Sequence, residues 1–204
     1  MRYLRSRVWA PSLLTVVMVG VIASCSSSSP STTTTTKPSS PALESKVLAL
    51  SDLPTGWAVD NSSPTGTQAS CLKDASDATT SGATATATAK FVKGTSLPAL
   101  AQQLAQLPSD RVDGNYTKAT SILSGCKALS GEFVTGTIGT LSFPTIGDAS
   151  SAYLVTLVSR GLKAGANFLV FRKGDYVSDL YFAQIGTPST AMTQQFAETA
   201  AARL

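Results

Sequence analysis

Two S-x-x-K spacings, Ser70 to Lys73 and Ser124 to Lys127, are the nearest this 204-residue chain comes to a nucleophile with a base beside it. Serine activated by lysine is a working catalytic pair. Here each spacing overlaps a cysteine, neither has K-T-G or S-D-N partners in a suitable order, and serine is abundant, so chance matches are expected. The chain has no histidine, which removes Ser-His and Cys-His nucleophilic systems and the commonest transition-metal ligand together. Asp110 and Asp113 before Gly114-Asn115 miss the calcium-loop spacing and lack a distal glutamate, so turn capping accounts for them. Gly131, Gly136 and Gly139 are followed by neither G-K-[ST] nor a helical run, which points to bulges or close packing rather than a phosphate cradle. The sequence thus assigns no catalytic residue, no metal ligand and no cofactor. A binding protein is the first expectation, an assembly accessory of the cell envelope the second, and an envelope hydrolase a distant third.

The cysteines carry a different chemistry. Cys25 closes the run Ile22-Ala23-Ser24-Cys25 after a basic start (Arg2, Arg5, Arg7) and the apolar stretch Leu13 to Ala23. That layout is a lipobox: residues 1–24 read as a lipoprotein signal peptide, and Cys25 as the residue that carries palmitate-type acyl chains on the extracytoplasmic face of the cell membrane. A permanent spanning helix is the alternative. The run from Val8 to Ala23 falls short of the ~20 residues a span needs and is interrupted by Pro11, Ser12 and Thr15. Removing residues 1–24 takes away three arginines and no acid, leaving 13 basic against 12 acidic residues. A nearly neutral mature chain gives no support to nucleic-acid binding, and the membrane is reached through the lipid instead. Cys71 and Cys126 remain as an even pair in an oxidising compartment, where a disulfide is the economical assignment and two buried thiols the alternative.

The elements that would position any site begin after a tether. Residues 26–41 read SSSSPSTTTTTKPSSP, with no large apolar side chain, so residues 25–41 are expected to be a disordered spacer. Residues 42–204 have the length and composition of one globular domain. Leu43, Val47 and Leu50 fit a short helix over 42–50, and a short strand through Trp57 and Val59 precedes a polar loop from Asn61 to about Gly82. Ala83 to Val92 alternates alanine and threonine strictly and predicts a strand. Leu97, Leu100, Leu104 and Leu107, after Ser96 and before Pro108, predict an amphipathic helix. A second helix is predicted from Tyr116 to Leu129, with Ala119, Ile122, Leu123 and Cys126 inward. Strands follow at 133–143, 152–158, 166–172 and 176–185. A closing helix is predicted with Thr187 as N-cap, Pro188 at N1, and Met192, Phe196, Ala200 and Leu204 inward. With no helix between the later strands, the fold class is α+β: a single antiparallel sheet with helices packed on it.

Tyr153, Phe168, Phe171, Tyr176, Tyr181 and Phe182 fall on both sides of their strands, more than one buried face needs. They are the candidate walls of an apolar cleft for a lipid or other amphipathic small molecule, or of a surface for an envelope protein, with the helices expected over Leu97 to Leu107 and Met192 to Leu204 as covers.

Leu50-Ser51-Asp52-Leu53-Pro54-Thr55-Gly56-Trp57 resembles the D-L-P-x-G-W entry motif of exported actinobacterial, particularly mycobacterial, lipoproteins and receptor-kinase sensor domains. Cys71, Cys126, Leu141-Ser142-Phe143-Pro144, Gly147-Asp148, Arg172-Lys173-Gly174-Asp175 and the last helix are similar to the same family in the same order. The resemblance implies an extracytoplasmic, sensor-like α+β domain with a cleft. The chain departs from the kinase sensors in having neither a kinase domain nor a spanning helix. Locally, Pro54 and Gly56 are expected to form a turn that aims Trp57 into the core.

Overall fold

Strict alternation of alanine and threonine builds β2 (Ala85–Lys93), where Ala87, Ala89 and Phe91 are buried and Thr84, Thr86 and Thr88 face outward or are half-buried. In this computed structural model the described residues are 40–62, 70–130, 135–159 and 161–204. The lipobox with Cys25, residues 26–39 of the expected spacer, Gly131 and the start of the strand expected from Phe133 lie outside them. The remaining elements are α1 (Pro41–Glu44), a 3-10 turn (Leu50–Asp52), β1 (Trp57–Val59), α2 (Ser70–Thr80), β3 (Ala99–Gln106), α3 (Ser109–Gly125), β4 (Ala128–Ser130), β5 (Thr135–Leu141), β6 (Ala149–Ser159), β7 (Leu162–Lys173), β8 (Tyr176–Ile185) and α4 (Thr190–Ala202).

All eight strands form one antiparallel sheet in the order β1-β2-β3-β8-β7-β6-β5-β4. The chain lays down one edge, crosses beneath the sheet through α3 to the opposite edge, and returns as a meander that closes on β3. The expected α+β class with one antiparallel sheet is what the structure has. Helices cover both faces: α1 and α4 pack over Phe91, Leu100, Leu104, Leu169, Phe171 and Phe182, and α2 and α3 over Val155, Phe168, Val170 and Val177. Seven consecutive residues of β7, Gly165 to Phe171, are therefore buried on one face or the other, as a central strand between two layers requires.

Four expectations need correction. The segment expected as a helix over Leu97 to Leu107 is β3. Leu100, Gln102 and Leu104 share one buried face at period two, and the polar Gln102, only 1% exposed, disguises the alternation. A four-residue spacing such as Leu100 to Leu104 returns to the same side in both a helix and a strand. The loop expected from Asn61 to Gly82 contains α2, whose inward stripe Leu72, Ala75, Ser76 and Thr79 is half hydroxyl and so does not read as amphipathic. The first helix ends at Glu44 and leaves Leu50 exposed; α3 starts at Ser109 and stops before Cys126, while Leu129 belongs to β4. In α4 the N-cap is Ser189, which accepts a hydrogen bond from Met192 N, and Met192 itself faces out.

The motif pieces turn out to be clasps. Gly56 has φ +96°, a left-handed turn suited to glycine, after which Trp57 packs edge-on against Phe196 at 5.8 Å and tilted against Phe182 at 6.4 Å. Gly147 has φ +64°, and a Cβ there would run into the Arg172 carbonyl oxygen. Beside it Asp148 accepts a hydrogen bond from Gly174 N at 2.8 Å, so the Gly147-Asp148 and Arg172-to-Asp175 segments meet. Cys71, in the first turn of α2, is joined by a disulfide to Cys126 at the C-terminus of α3, across 55 residues.

Candidate ligand cleft

One depression in the described surface has a volume of about 530 Å³, within the ~300–1,000 Å³ usual for small-molecule sites. It lies at the β1–β2 end of the sheet, on the α1–α4 face. Its floor is Ala89 and Phe91 of β2, one wall is Leu48, Ala49 and Leu50, and the other is Val59, Asp60 and Asn61. Glu44, Thr88 and Lys90 complete the rim. Period two along β2 explains the division: Ala89 and Phe91 point into the cleft, and Lys90 rises at its lip.

The wall from Ser45 to Leu53 is a strap without regular structure except for its 3-10 turn, and polar clamps hold it. Leu48 N donates to the buried Gln102 Oε1 at 2.8 Å, and Gln102 Nε2 donates to Ser178 Oγ at 3.2 Å. Asp52 accepts from Ala49 N at 2.8 Å and pairs with Arg203 Nη1 at 2.8 Å, while Arg203 Nη2 donates to the Ser45 carbonyl at 2.9 Å. Strap and α4 are thereby fixed to each other. On the far wall, hydrogen bonds from Ser62 hold the Asp60 carboxyl below the usual range, with Lys90 adding to the effect. Lys90 Nζ donates to the Ser62 carbonyl. The result is an apolar trough of Leu48, Leu50, Val59 and Phe91 with charges of both signs along its rim.

The six aromatic residues expected to wall a cleft are not brought together. Tyr153, Phe168 and Tyr181 lie on the α2–α3 face, where Phe168 and Tyr181 meet edge-on at 6.3 Å. Phe171, Tyr176 and Phe182 lie on the α1–α4 face, with Phe182 against Phe196 at 5.6 Å and Lys46 over the Tyr176 ring at 5.2 Å. They fill two packed layers, and none lines the 530 Å³ cleft. The helical stripe expected for Leu43, Val47 and Leu50 turns Leu50 inward, whereas it is exposed at the cleft. A usable signal was present in β2, where Phe91 is the one large residue on a face otherwise made of alanine.

In both S-x-x-K spacings the lysine has a partner other than the serine hydroxyl. Lys73 is bound to Asp77, and Lys127 Nζ donates to the Ser124 main-chain carbonyl, whereas Ser124 Oγ donates to the Thr120 carbonyl. Asp113, expected to cap a turn, lies within α3 and pairs with Arg172 at 3.1 Å. Among the described residues no group of three or more acids or cysteines is placed to share a metal ion, and no helix is long and apolar enough to cross a membrane.

No protein-family model and no curated protein matches the chain. Among solved structures, 58% of the chain aligns with 65% of the extracellular domain of PknH from Mycobacterium tuberculosis, at a TM-score of 0.46 and 11% identity. The chain therefore spans just under two thirds of that domain. A STAR-related lipid transfer protein from Xanthomonas axonopodis aligns over 72% of the chain and 97% of its own length, at a TM-score of 0.27 and 11% identity. Both are weak likenesses of shape, and the D-L-P-x-G-W motif rests on its local physics.

Proposed function

We propose that this chain is a lipid-anchored, extracytoplasmic envelope protein that works by binding and not by turnover, holding a small amphipathic molecule in the cleft between strap and sheet. The observation that carries the reading is the composition of the cleft: an apolar trough of ligand size with a rim of Lys90, Asp60, Asn61 and Glu44. An acyl or other apolar portion would displace water chiefly from the exposed side chains of Leu50 and Val59, gaining roughly 25 cal/mol per Å² buried, while a polar head stays at the rim. The absence of histidine and the lipobox at Cys25 belong to the same reading.

The test is extraction and mass spectrometry of the protein purified from a lipoprotein-processing host, followed by titration with a fluorescent fatty-acid probe. A co-purifying amphiphile and saturable probe binding are expected. Val59→Glu and Leu50→Glu, at positions 50% and 42% exposed, should weaken binding about tenfold or more without lowering the melting temperature. No bound molecule and no saturable binding would end this reading. The second reading, docking of an envelope protein, draws on the neighbouring exposed side chains Leu162 (54%) and Ile185 (63%) where β7 and β8 run past the helices.

A further inference from the structure

We propose that a second depression, between α3 and the β5–β6 pair, binds an uncharged polyhydroxylated ligand, the size of one sugar ring, through a seam of side-chain hydroxyls. Tyr116, Thr120 and Ser124 recur every four residues along α3 and so form one stripe. Ser151 and Tyr153 are two apart on β6 and face that stripe, and Thr140 of β5 is the register partner of Tyr153. Helix and sheet therefore meet here through hydroxyls. Tyr116 OH and Ser151 Oγ are 3.0 Å apart; Tyr153 OH donates to the Thr120 carbonyl at 3.1 Å and lies 3.2 Å from Ser124 Oγ. Ser124 Oγ in turn donates to the Thr120 carbonyl at 2.8 Å.

This network fixes the hydroxyls without exhausting them. A hydroxyl carries one donor and two acceptor positions, so Ser124, having given its proton inward, still accepts from outside. Ser150 Oγ accepts from Ile146 N at 3.0 Å and keeps its own proton to give. The depression has a volume of 260 Å³ and is lined by Ser124, Thr140, Ser150, Ser151 and Tyr153, with Leu141, Phe143 and Ala152 as apolar wall. No charged side chain lines it. A carboxylate, phosphate or ammonium seated there would lose water without gaining a counter-charge, and an alkyl chain would strip the hydroxyls of water and return no hydrogen bond. Groups that both donate and accept, on a ring with an apolar C–H face to set against Phe143, satisfy every wall. The site is at the opposite end of the sheet from the 530 Å³ cleft and shares no lining residue with it, so the two can fail independently.

The experiment is titration of the full chain, followed by amide chemical shifts, with maltotriose and chitotriose as neutral probes and glucuronate and triglycine as counter-probes. The expected result is saturable binding of a neutral sugar, with shifts at Thr140, Ser151 and Ser124. Thr140→Val, a β-branched replacement on an exposed strand position, and Ser124→Ala should each weaken it roughly tenfold per hydrogen bond lost, with unchanged melting temperature. Val59→Glu in the other cleft should leave it unaltered. The proposal is overturned if no neutral sugar binds saturably, if glucuronate or triglycine binds as well, or if binding survives both hydroxyl substitutions.

Discussion

Below about pH 4 the carboxyl group of Asp179 costs the fold nothing, because it is protonated whether the chain is folded or not. Asp179 lies on β8, buried under α2, where Ser76 Oγ at 2.9 Å and Thr79 Oγ1 at 3.1 Å donate to Oδ2. Ser76 Oγ is also 2.7 Å from Gln103 Oε1. Among the described residues no cation is paired with it: Lys73 and Asp77 pair with each other on the outer side of α2, and burial pushes the neighbouring Tyr181 up to about 12, so it stays neutral. Burial raises the Asp179 pKa to about 6, against the opposing effect of the two hydroxyl donors. The folded chain thus binds this proton more tightly than the unfolded one, and stability falls as pH rises from about 4 through about 6, by roughly 3 kcal/mol in all. Asp179→Asn should remove this slope and leave the protein about 1–3 kcal/mol more stable than wild type at pH 8, with little difference at pH 4. Urea unfolding at pH 4, 6 and 8 measures it; parallel profiles for the two proteins would refute the assignment.

At the scale of elements, α2 is held by less apolar surface than its position suggests. Leu72 is the largest buried side chain on a stripe otherwise made of Ala75, Ser76, Ala78 and Thr79. The Cys71–Cys126 bridge, with Cα atoms 6.3 Å apart, compensates by tying it to α3. Loss of such a bridge typically costs 2 to 5 kcal/mol. Cys71→Ala should therefore lower the melting temperature, and amide exchange should accelerate in α2 before it does in β6–β8. Equal acceleration everywhere would mean that the bridge stabilises the whole and not this element. The same stripe explains what was legible in the sequence. The strand over Ala83 to Val92, the meander and the closing helix could be read because their inward positions are mostly apolar, Asn167, Ser178, Asp179 and Thr193 being outnumbered. Where inward positions are Ser76, Thr79 and Gln102, periodicity failed, since their burial depends on partners as distant in sequence as Asp179 and Leu48. The candidate cleft was illegible for a related reason: its floor on β2 lies more than 25 residues along the chain from its walls, and the strand pairing Val59↔Phe91 brings them together.

For the molecule as a whole, the proposed anchor at Cys25 decides where the two binding sites would work. Expressed in a host that processes lipoproteins, the protein should partition into detergent, since two or more acyl chains hold stably where one is marginal. Cys25→Ala should shift it to the soluble or secreted fraction, and an unchanged membrane fraction would place the anchor elsewhere.

The grip of Arg203 on Asp52 and Ser45 joins residues 151 and 158 positions apart. In the export we propose, a chain emerging from its amino end would complete the meander while still being delivered, but would not lock the strap until residue 203 had cleared the export machinery. The cleft wall is then among the last parts to set, as contacts of such long sequence separation are slow to form. Under the proposed export, any molecule it holds would be acquired outside and not carried along from the place of synthesis.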